Sequence, residues 1–519
     1  MATHALQRRA APHLGALTSS RLAALAALAF LLALSALIRT RALAAGFWID
    51  EGLTVGISSF PFTEIPTVLR QDGSPPLYYL LLHLWMKVAG SGEADTHALS
   101  LLFALASIPA ALWATASLFG RRAGWVAALL AALHPFITIY AQETRMYSLV
   151  ILLSILATAA FAHAFVFRRR RYVAVFSLLL ALMLYTHNWA LFFTLGALAA
   201  LALCARAADD RRRLLTDGAL AFGAAFLAFA PWVPTLLYQA FHTGAPWSNP
   251  PSPLQLIGAI VAVMSGQGSL VALVLAACAG LATLVREPAS RERTLVFAIL
   301  VLAATTLLTA WLYSQVSPAW ANRYLGFLVG PVLILSAAGV PRAGRLGVVA
   351  LALVAVFWGG FLADDSKANI REIAARFEKR LGPDDVILST QPEQVPVLAY
   401  YFGRDHRYAT PLGPVRDTRV MDWRDALPRL ETASVGSALA PLLDALPEGS
   451  HVFLVRPLIR EKKQWSAEWT ALVRARSRQW ARALRHDERF TRIASAAPPY
   501  TEHVPRGVRI DVYTKAAGG

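Results

Sequence analysis

The chain has 519 residues, 56% of them hydrophobic and only 16% charged, with a mean hydropathy of +0.48. A soluble chain of this length has no way to hide so much apolar surface, so the composition excludes an ordinary globular protein and points to a polytopic membrane protein. The formal net charge of +17 would suggest nucleic acid in a soluble protein. Here the arginines stand in short clusters between apolar runs, the form of a topology signal, and nucleic acid is set aside as a partner. Cys204 and Cys278 both lie in apolar runs, which argues against a disulfide framework or a cysteine metal site.

At the amino end, Arg8 and Arg9 precede an apolar run from Leu22 to Leu37, and Ala42-Leu43-Ala44 has the small-residue form of a signal-peptide cleavage site. Arg39 and Arg41 intervene, and cleavage would detach the run that places the next motif. The run is therefore read as an uncleaved first span whose amino terminus is cytoplasmic. At its far end stands Phe47-Trp48-Ile49-Asp50-Glu51-Gly52. Two adjacent carboxylates at a membrane boundary are costly to bury in hydrocarbon and mark function by default. Asp50 could cap a helix beginning at Glu51, but a cap accounts for one acid and not for the pair.

Basic clusters follow at Arg121-Arg122, Arg168 to Arg171, Arg206 with Arg211 to Arg213, Arg286 to Arg293, and Arg342 with Arg345. The positive-inside rule places them in the cytoplasm. Alternation then puts five loops outside: Phe47 to Pro75, Tyr140 to Tyr147, the turn at His187, Gln239 to Pro253, and Ser314 to Tyr324. Pro76 to Ala89 is apolar but holds about 14 residues against the ~20 needed to span. It is expected to lie along the outer interface, with Tyr78, Tyr79, His83 and Trp85 at headgroup depth. About eleven spans result, the last from Leu346 to Phe361. The run from Leu254 to Val285 is broken at Ser265-Gly266-Gln267-Gly268-Ser269 and reads as an interfacial piece followed by one span. After Asp364-Asp365 charge rises and apolar runs shorten. A helix over Ile370 to Arg380, strands at Val386 to Leu388, His451 to Val455 and Val508 to Tyr513, and a helix over Trp465 to Arg485 predict a small α/β domain. The expected division is residues 1–362 in the membrane and 363–519 outside it. Gly403 to Ser437 is polar and irregular and receives no assignment.

Four motifs now stand in order: Asp50-Glu51 after the first span, Ser74-Pro75-Pro76-Leu77-Tyr78-Tyr79, Gln142-Glu143-Thr144-Arg145-Met146-Tyr147 after a later span, and Arg323-Tyr324 opening a late one. None is specific alone, but their order on one expected face is. Over roughly its first 340 residues the chain resembles the membrane glycosyltransferases of the C-type fold. Within them it is similar to the protein O-mannosyltransferase and aminoarabinose-transferase group. The resemblance implies an α-helical polytopic enzyme that moves a sugar from a polyprenyl-phosphate lipid to an acceptor hydroxyl at the outer face of the cell membrane. It also implies that Asp50 is the catalytic base and that Arg323-Tyr324 contacts the donor phosphate. The acceptor class (protein, lipid or polysaccharide) stays open.

The residues agree with that chemistry. Displacing a lipid phosphate from an anomeric carbon needs a base for the incoming hydroxyl and cations for the departing phosphate. Asp50 suits the base. Glu51, catalytic with it as the second acid of the pair, would orient it or bind a sugar hydroxyl, and repulsion between the two raises one proton affinity. Arg145 suits a phosphate. Glu143 suits an acceptor or, together with Asp50, a divalent cation, and on a helix starting there it shares a face with Tyr147. An outer-face Arg323 needs an anion, although snorkelling to headgroups is the bland alternative. His187 is read as substrate-proximal, and no second histidine has metal-ligand spacing. Tyr78 completes the expected substrate contacts. Two rival classes remain: a transporter, which would place ionisable groups near mid-membrane and show related halves, and a non-catalytic scaffold, which has no need of Asp50, Glu51, Glu143 and Arg323 on one face.

Overall fold

The apolar runs of the first two thirds of the chain fold as helices, because only a helix satisfies every backbone group from within a single segment. In the computed structural model the described residues are 14–287, 290–359, 361, 367–459, 461, 465–498, 504 and 506–516. Among them, seven helices are long and apolar enough to cross a membrane. The pair Arg121–Leu133 and Pro135–Ala141, bent by 51°, makes an eighth; the bend falls at Pro135, which lacks the N–H that would continue the helix. The difference from the expected eleven lies in three shorter apolar helices, Arg171–Thr186, Ala190–Arg206 and Arg345–Gly359. The broken run resolves as expected into an 11-residue helix, Pro253–Val263, and an 18-residue one, Gln267–Leu284.

Two helices form the centre of the bundle. Tyr147–Val166 is 89% buried and Asn322–Ala343 is 83% buried, against 11% for the first helix over Arg21–Arg39. They cross closely at Gly330, whose backbone N–H donates to Ser154 Oγ at 3.0 Å and whose missing side chain leaves room for the Ser154 backbone. Arg39, at the end of the first helix, is wholly buried. It donates to the carbonyls of Ala104 and Ala131 and to Thr138 Oγ1, so the first helix is tied into the bundle by a satisfied guanidinium. The arginine clusters meet at one end: Arg168 reaches the Asp210 carbonyl, Arg170 pairs with Asp217, and Arg342 reaches the Phe119 carbonyl.

The helix Leu77–Ala89 is too short to span, yet its aromatic face does not meet headgroups. Tyr78 and Tyr79 are fully buried and His83 nearly so, with His83 Nδ1 on the Ser58 carbonyl at 2.9 Å. The apolar side chains left exposed are Leu84 and Val88. The expectation of a headgroup-facing aromatic row is thus corrected for Tyr78, Tyr79 and His83, whose hydroxyls and Nδ1 have protein partners as buried polar groups require, while Trp85 is only partly buried.

Beyond the bundle lies a six-stranded sheet in the order β3-β2-β1-β4-β6-β5. Its strands are β1 (Val386–Ser389), β2 (Arg407–Thr410), β3 (Gly413–Pro414), β4 (His451–Pro457), β5 (Phe490–Ala496) and β6 (Val508–Lys515). β1 runs parallel to β2 and β4, and the outer pairings are antiparallel. The three strands and two helices expected from the sequence are present. The unassigned stretch holds β2, β3 and a helix at Ala426–Thr432. The expected boundary between 362 and 363 lies outside the described residues. One face of the sheet packs on Leu439, Leu443 and Trp480. The other packs on helices Ile370–Phe377 and Val395–Phe402, and that same core takes in Phe47, Trp48 and Val55. The sheet unit therefore sits directly on the Asp-Glu motif.

Candidate active site

The motif forms a ten-residue helix, Ile49–Ser58, which is hereafter the Asp50 helix. Its glycines are explained by the sheet unit. A Cβ at Gly52 would collide with Val397, and one at Gly56 with the Arg419 carbonyl. The chain beyond the bundle thus lies backbone-close along the helix.

The helix starts two residues earlier than the capping alternative supposed, with Trp48 at its N-cap, so Asp50 is not the cap. The capping side chain is that of Glu51, whose Oε2 accepts from the Trp48 N–H at 3.2 Å, a reach back to the N-cap. Its Oε1 accepts from the Thr144 N–H at 2.9 Å, His97 Nε2 at 2.6 Å and Lys367 Nζ at 2.8 Å. Lys367 also donates to the Gln142 carbonyl at 2.5 Å and lies 3.1 Å from His97 Nε2. The other His97 nitrogen faces the Leu43 carbonyl at 2.6 Å. Burial alone would raise the Glu51 carboxyl; the Lys367 ammonium and His97 outweigh it and hold it down at about 2. Glu51 is fully buried with both oxygens engaged by the fold, and it works as a structural anion joining four segments. Lys367 and His97 escaped sequence reading. Lys367 is a lone cation between the last apolar run and the next helix, and His97 a polar residue in the first turn of a span.

Asp50, one residue away, is open. About a fifth of its side chain is exposed, and among the described residues its one ion pair is with Arg323, whose Nη2 lies 3.5 Å from Oδ2. Arg323 lies among three rings, Trp48, Trp247 and Tyr324, at 5.7, 5.1 and 5.4 Å. Arg506, from the sheet unit, stacks on the Trp48 indole at 3.5 Å. Arg145 donates to Thr54 Oγ1 at 2.7 Å and, at 3.4 Å each, to Tyr79 Oη and the Asp50 carbonyl. Tyr79 in turn donates to Asp72 at 3.3 Å, and burial raises that carboxyl.

Glu143 sits in the turn before the helix Tyr147–Phe161, not on it. The face-sharing expected with Tyr147 therefore does not occur, because the turn is closed by an Arg145 N–H to Glu143 carbonyl bond of 2.7 Å. The Glu143 carboxyl is raised by burial and by the Glu51 charge. His187 packs against Tyr324 at 4.6 Å and Tyr147 at 6.2 Å; burial, then Arg145 and Arg323, lower its imidazole to about 3. Tyr78 lies behind the site, with its hydroxyl on Ser100 Oγ at 2.9 Å and Ser100 on the Arg145 carbonyl at 3.2 Å.

The structure thus brings all nine expected residues to one end of the bundle, opposite the arginine clusters. Around Asp50, five buried polar atoms have no hydrogen-bond partner among the described residues: Trp48 Nε1, Glu143 Oε2, Arg145 Nε, Tyr147 Oη and Arg323 Nε. Unsatisfied buried groups are rare and need a reason; a polar ligand supplies one. Among the described residues no group of three or more His, Cys, Asp or Glu side chains is arranged to hold a metal.

No family model matches the sequence, and no curated protein does. Solved structures do. ArnT from Cupriavidus metallidurans in the apo state aligns over 96% of this chain and 100% of its own at 13% identity, with a TM-score of 0.61. The same protein bound to undecaprenyl phosphate aligns over 95% and 99%, also at 13% identity, with 0.58. The arabinofuranosyltransferase AftD from Mycobacteria covers 95% of this chain with 40% of its own, at 16% identity and a TM-score of 0.55. At these identities the likeness is one of fold. The chain has the C-type glycosyltransferase fold, helical in its membrane part and ending in a small sheet unit.

Proposed function

We propose that the protein is an inverting glycosyltransferase that moves a hexose or pentose, such as mannose, from a polyprenyl-phosphate lipid to an acceptor hydroxyl at the outer face of the membrane. One observation carries the reading: of two adjacent acids, one is locked as a structural anion and the other stands open beside an arginine. In this mechanism Asp50 takes the proton of the acceptor hydroxyl as its oxygen attacks the anomeric carbon. The bond from that carbon to the phosphate oxygen breaks on the opposite side, which inverts the configuration. Arg323 holds the phosphate as its charge grows, with Arg145 and Arg506 nearby. Tyr147, His187 and Tyr324 line the same space. Glu51, with Lys367 and His97, fixes the helix that carries Asp50.

The undecaprenyl phosphate in the ArnT structure supports a lipid-phosphate donor. The separation of the arginine clusters from the site supports an outer active site and an outer sheet unit, with the division near residues 362–363. The test is transfer from defined polyprenyl-phosphate sugars in detergent, with mass spectrometry of the acceptor. Transfer from one donor with inversion is expected; no turnover of any donor overturns the reading. Orientation is read separately. Cysteines placed at the exposed positions Thr63 and Glu488 should react with a membrane-impermeant thiol reagent in intact cells, and one at Arg170 should not.

A further inference from the structure

The turn after β1 carries polar groups that the proposed mechanism does not use. Gln391, Glu393 and Gln394 are each more than nine-tenths buried, at 5%, 7% and 1% exposure. Glu393 Oε1 accepts from Gln391 Nε2 at 2.8 Å and from the Trp469 indole N–H at 3.0 Å. Gln391 Oε1, Glu393 Oε2 and Gln394 Oε1 have no partner among the described residues. Because its amide nitrogen is spent on Glu393, the orientation of Gln391 is set and its oxygen stays free. Three orphaned oxygens within four residues are unusual in a native interior.

Their place in the fold is next to the site. Val397, on the helix that follows this turn, is the residue a Cβ on Gly52 would strike. On the other side Trp469 donates its backbone N–H to the Pro246 carbonyl. Pro246 adjoins Trp247, which stacks under Arg323, the partner of Asp50. Trp469 also lies 5.1 Å from Trp423, whose N–H donates to the Gln71 carbonyl, beside Asp72. Burial raises the Glu393 carboxyl and the charge of Asp50 adds to it, as two acids near one another require.

We infer that residues 391–394, with Trp469 and Trp423, form a subsite beside Asp50 for the hydroxyl face of a sugar. The chemistry selects that class. Two amide oxygens accept only, and a carboxyl that takes up a proton readily can accept or donate. A row of hydroxyls, which does both, satisfies all three, whereas a phosphate would meet only acceptors. Indole faces pack against the C–H face of a pyranose in the same manner as against other apolar surface. The sugar is either the donor's or one on the acceptor. The inference rests on the proposed transferase reading, and the experiment separates the two.

The full chain in detergent is titrated with sugarless polyprenyl phosphate, with polyprenyl-phosphate hexose, and with phosphate-free alkyl hexosides. The parent should bind an alkyl hexoside saturably. Glu393→Gln, which keeps the Oε1 acceptor but turns Oε2 into a donor, should weaken it about ten- to hundredfold, and Gln394→Leu about tenfold. Sugarless polyprenyl phosphate should bind both variants as it binds the parent, which also reports that they are folded. If the subsite holds the donor sugar, the preference for hexose-linked over sugarless lipid disappears in Glu393→Gln; if it holds the acceptor, that preference stays and the acceptor KM rises. Either outcome supports the subsite. No saturable hexoside binding by the parent, or parental binding by both variants, overturns it. Failure of the parent to bind any polyprenyl phosphate would instead count against the transferase reading, and the hexoside titration would still decide the subsite.

Discussion

Asp50 and Glu51 are neighbours in the chain and opposites in surroundings. Glu51 points into the bundle, where three N–H donors converge on one of its oxygens and a fourth on the other. Asp50 points out, partly exposed, with a single arginine at 3.5 Å. The same chemical group thus does two jobs because one helical step of about 100° turns it from a saturated interior to an open mouth. A buried carboxylate surrounded by donors holds structure together, whereas one with spare lone pairs can take a proton.

The sharpest way to break this contrast is Asp50→Asn. The change is nearly isosteric and leaves the Glu51 network whole, so thermal stability and binding of sugarless lipid should stay at the parental level. Turnover should fall by about 10²–10⁴, the usual contribution of a general base. Near-parental transfer by this variant would remove Asp50 from the role of base.

The converse change, Glu51→Gln, should strike stability first. It leaves Lys367 buried without its counter-charge, which typically costs about 3–5 kcal/mol, and denaturant unfolding measures it. The pH dependence follows from the same pair. Glu51 is held at about 2, below the ordinary value of 4.5, so its contribution is full above the ordinary carboxylate range and is lost as pH falls through about 2. Lys367→Met removes the cation that holds it down, so acid unfolding should begin at higher pH than in the parent. If the acid limb does not move, the buried pair is not what stabilises the Asp50 helix.

Much of this contrast is legible in the sequence, but not its direction. The Asp-Glu pair, the arginine clusters and Arg323 on the outer side identify the site end of the bundle, because charges at span boundaries need a reason to be there. Which acid is open depends on where the helix begins, and a shift of two residues decides it: Ile49 rather than Glu51 is its first. The partners of Glu51 were hidden for another reason. His97 and Lys367 stand 46 and 316 residues away, and nothing local in the sequence shows such pairs. The strands of the sheet unit are visible as short apolar runs, whereas its docking on Gly52 and Gly56 is not, since a glycine in a helix discloses nothing of what approaches it.

Arg323→Ala sharpens the open side of the contrast. Removing one charged phosphate partner should weaken binding of sugarless polyprenyl phosphate about ten- to hundredfold. The remaining affinity should also depend less on added salt, since one fewer charge is being screened. Arg323→Lys should recover only part, as an ammonium lacks the planar fork that matches a phosphate. An unchanged affinity in Arg323→Ala would leave the arginine as an interfacial side chain.

Tyr78→Phe is the smallest change and tests the closed side once more. Although Tyr78 belongs to the motif that suggested a substrate contact, its hydroxyl is directed away from the mouth. It donates to Ser100 Oγ, and Ser100 donates to the Arg145 carbonyl. Deleting the hydroxyl removes one neutral buried hydrogen bond, so stability should drop by about 0.5–1.5 kcal/mol. The Arg145 turn keeps its other supports, the Thr144 N–H on Glu51 and the Arg145 guanidinium on Thr54, so KM for donor and acceptor should stay within about twofold of the parent's. A hydroxyl that touched substrate would give the reverse: parental stability with a raised KM, because a substrate contact does not exist in the unliganded fold. Measured together, the unfolding midpoint and KM decide whether Tyr78 faces the ligand or supports the turn that does.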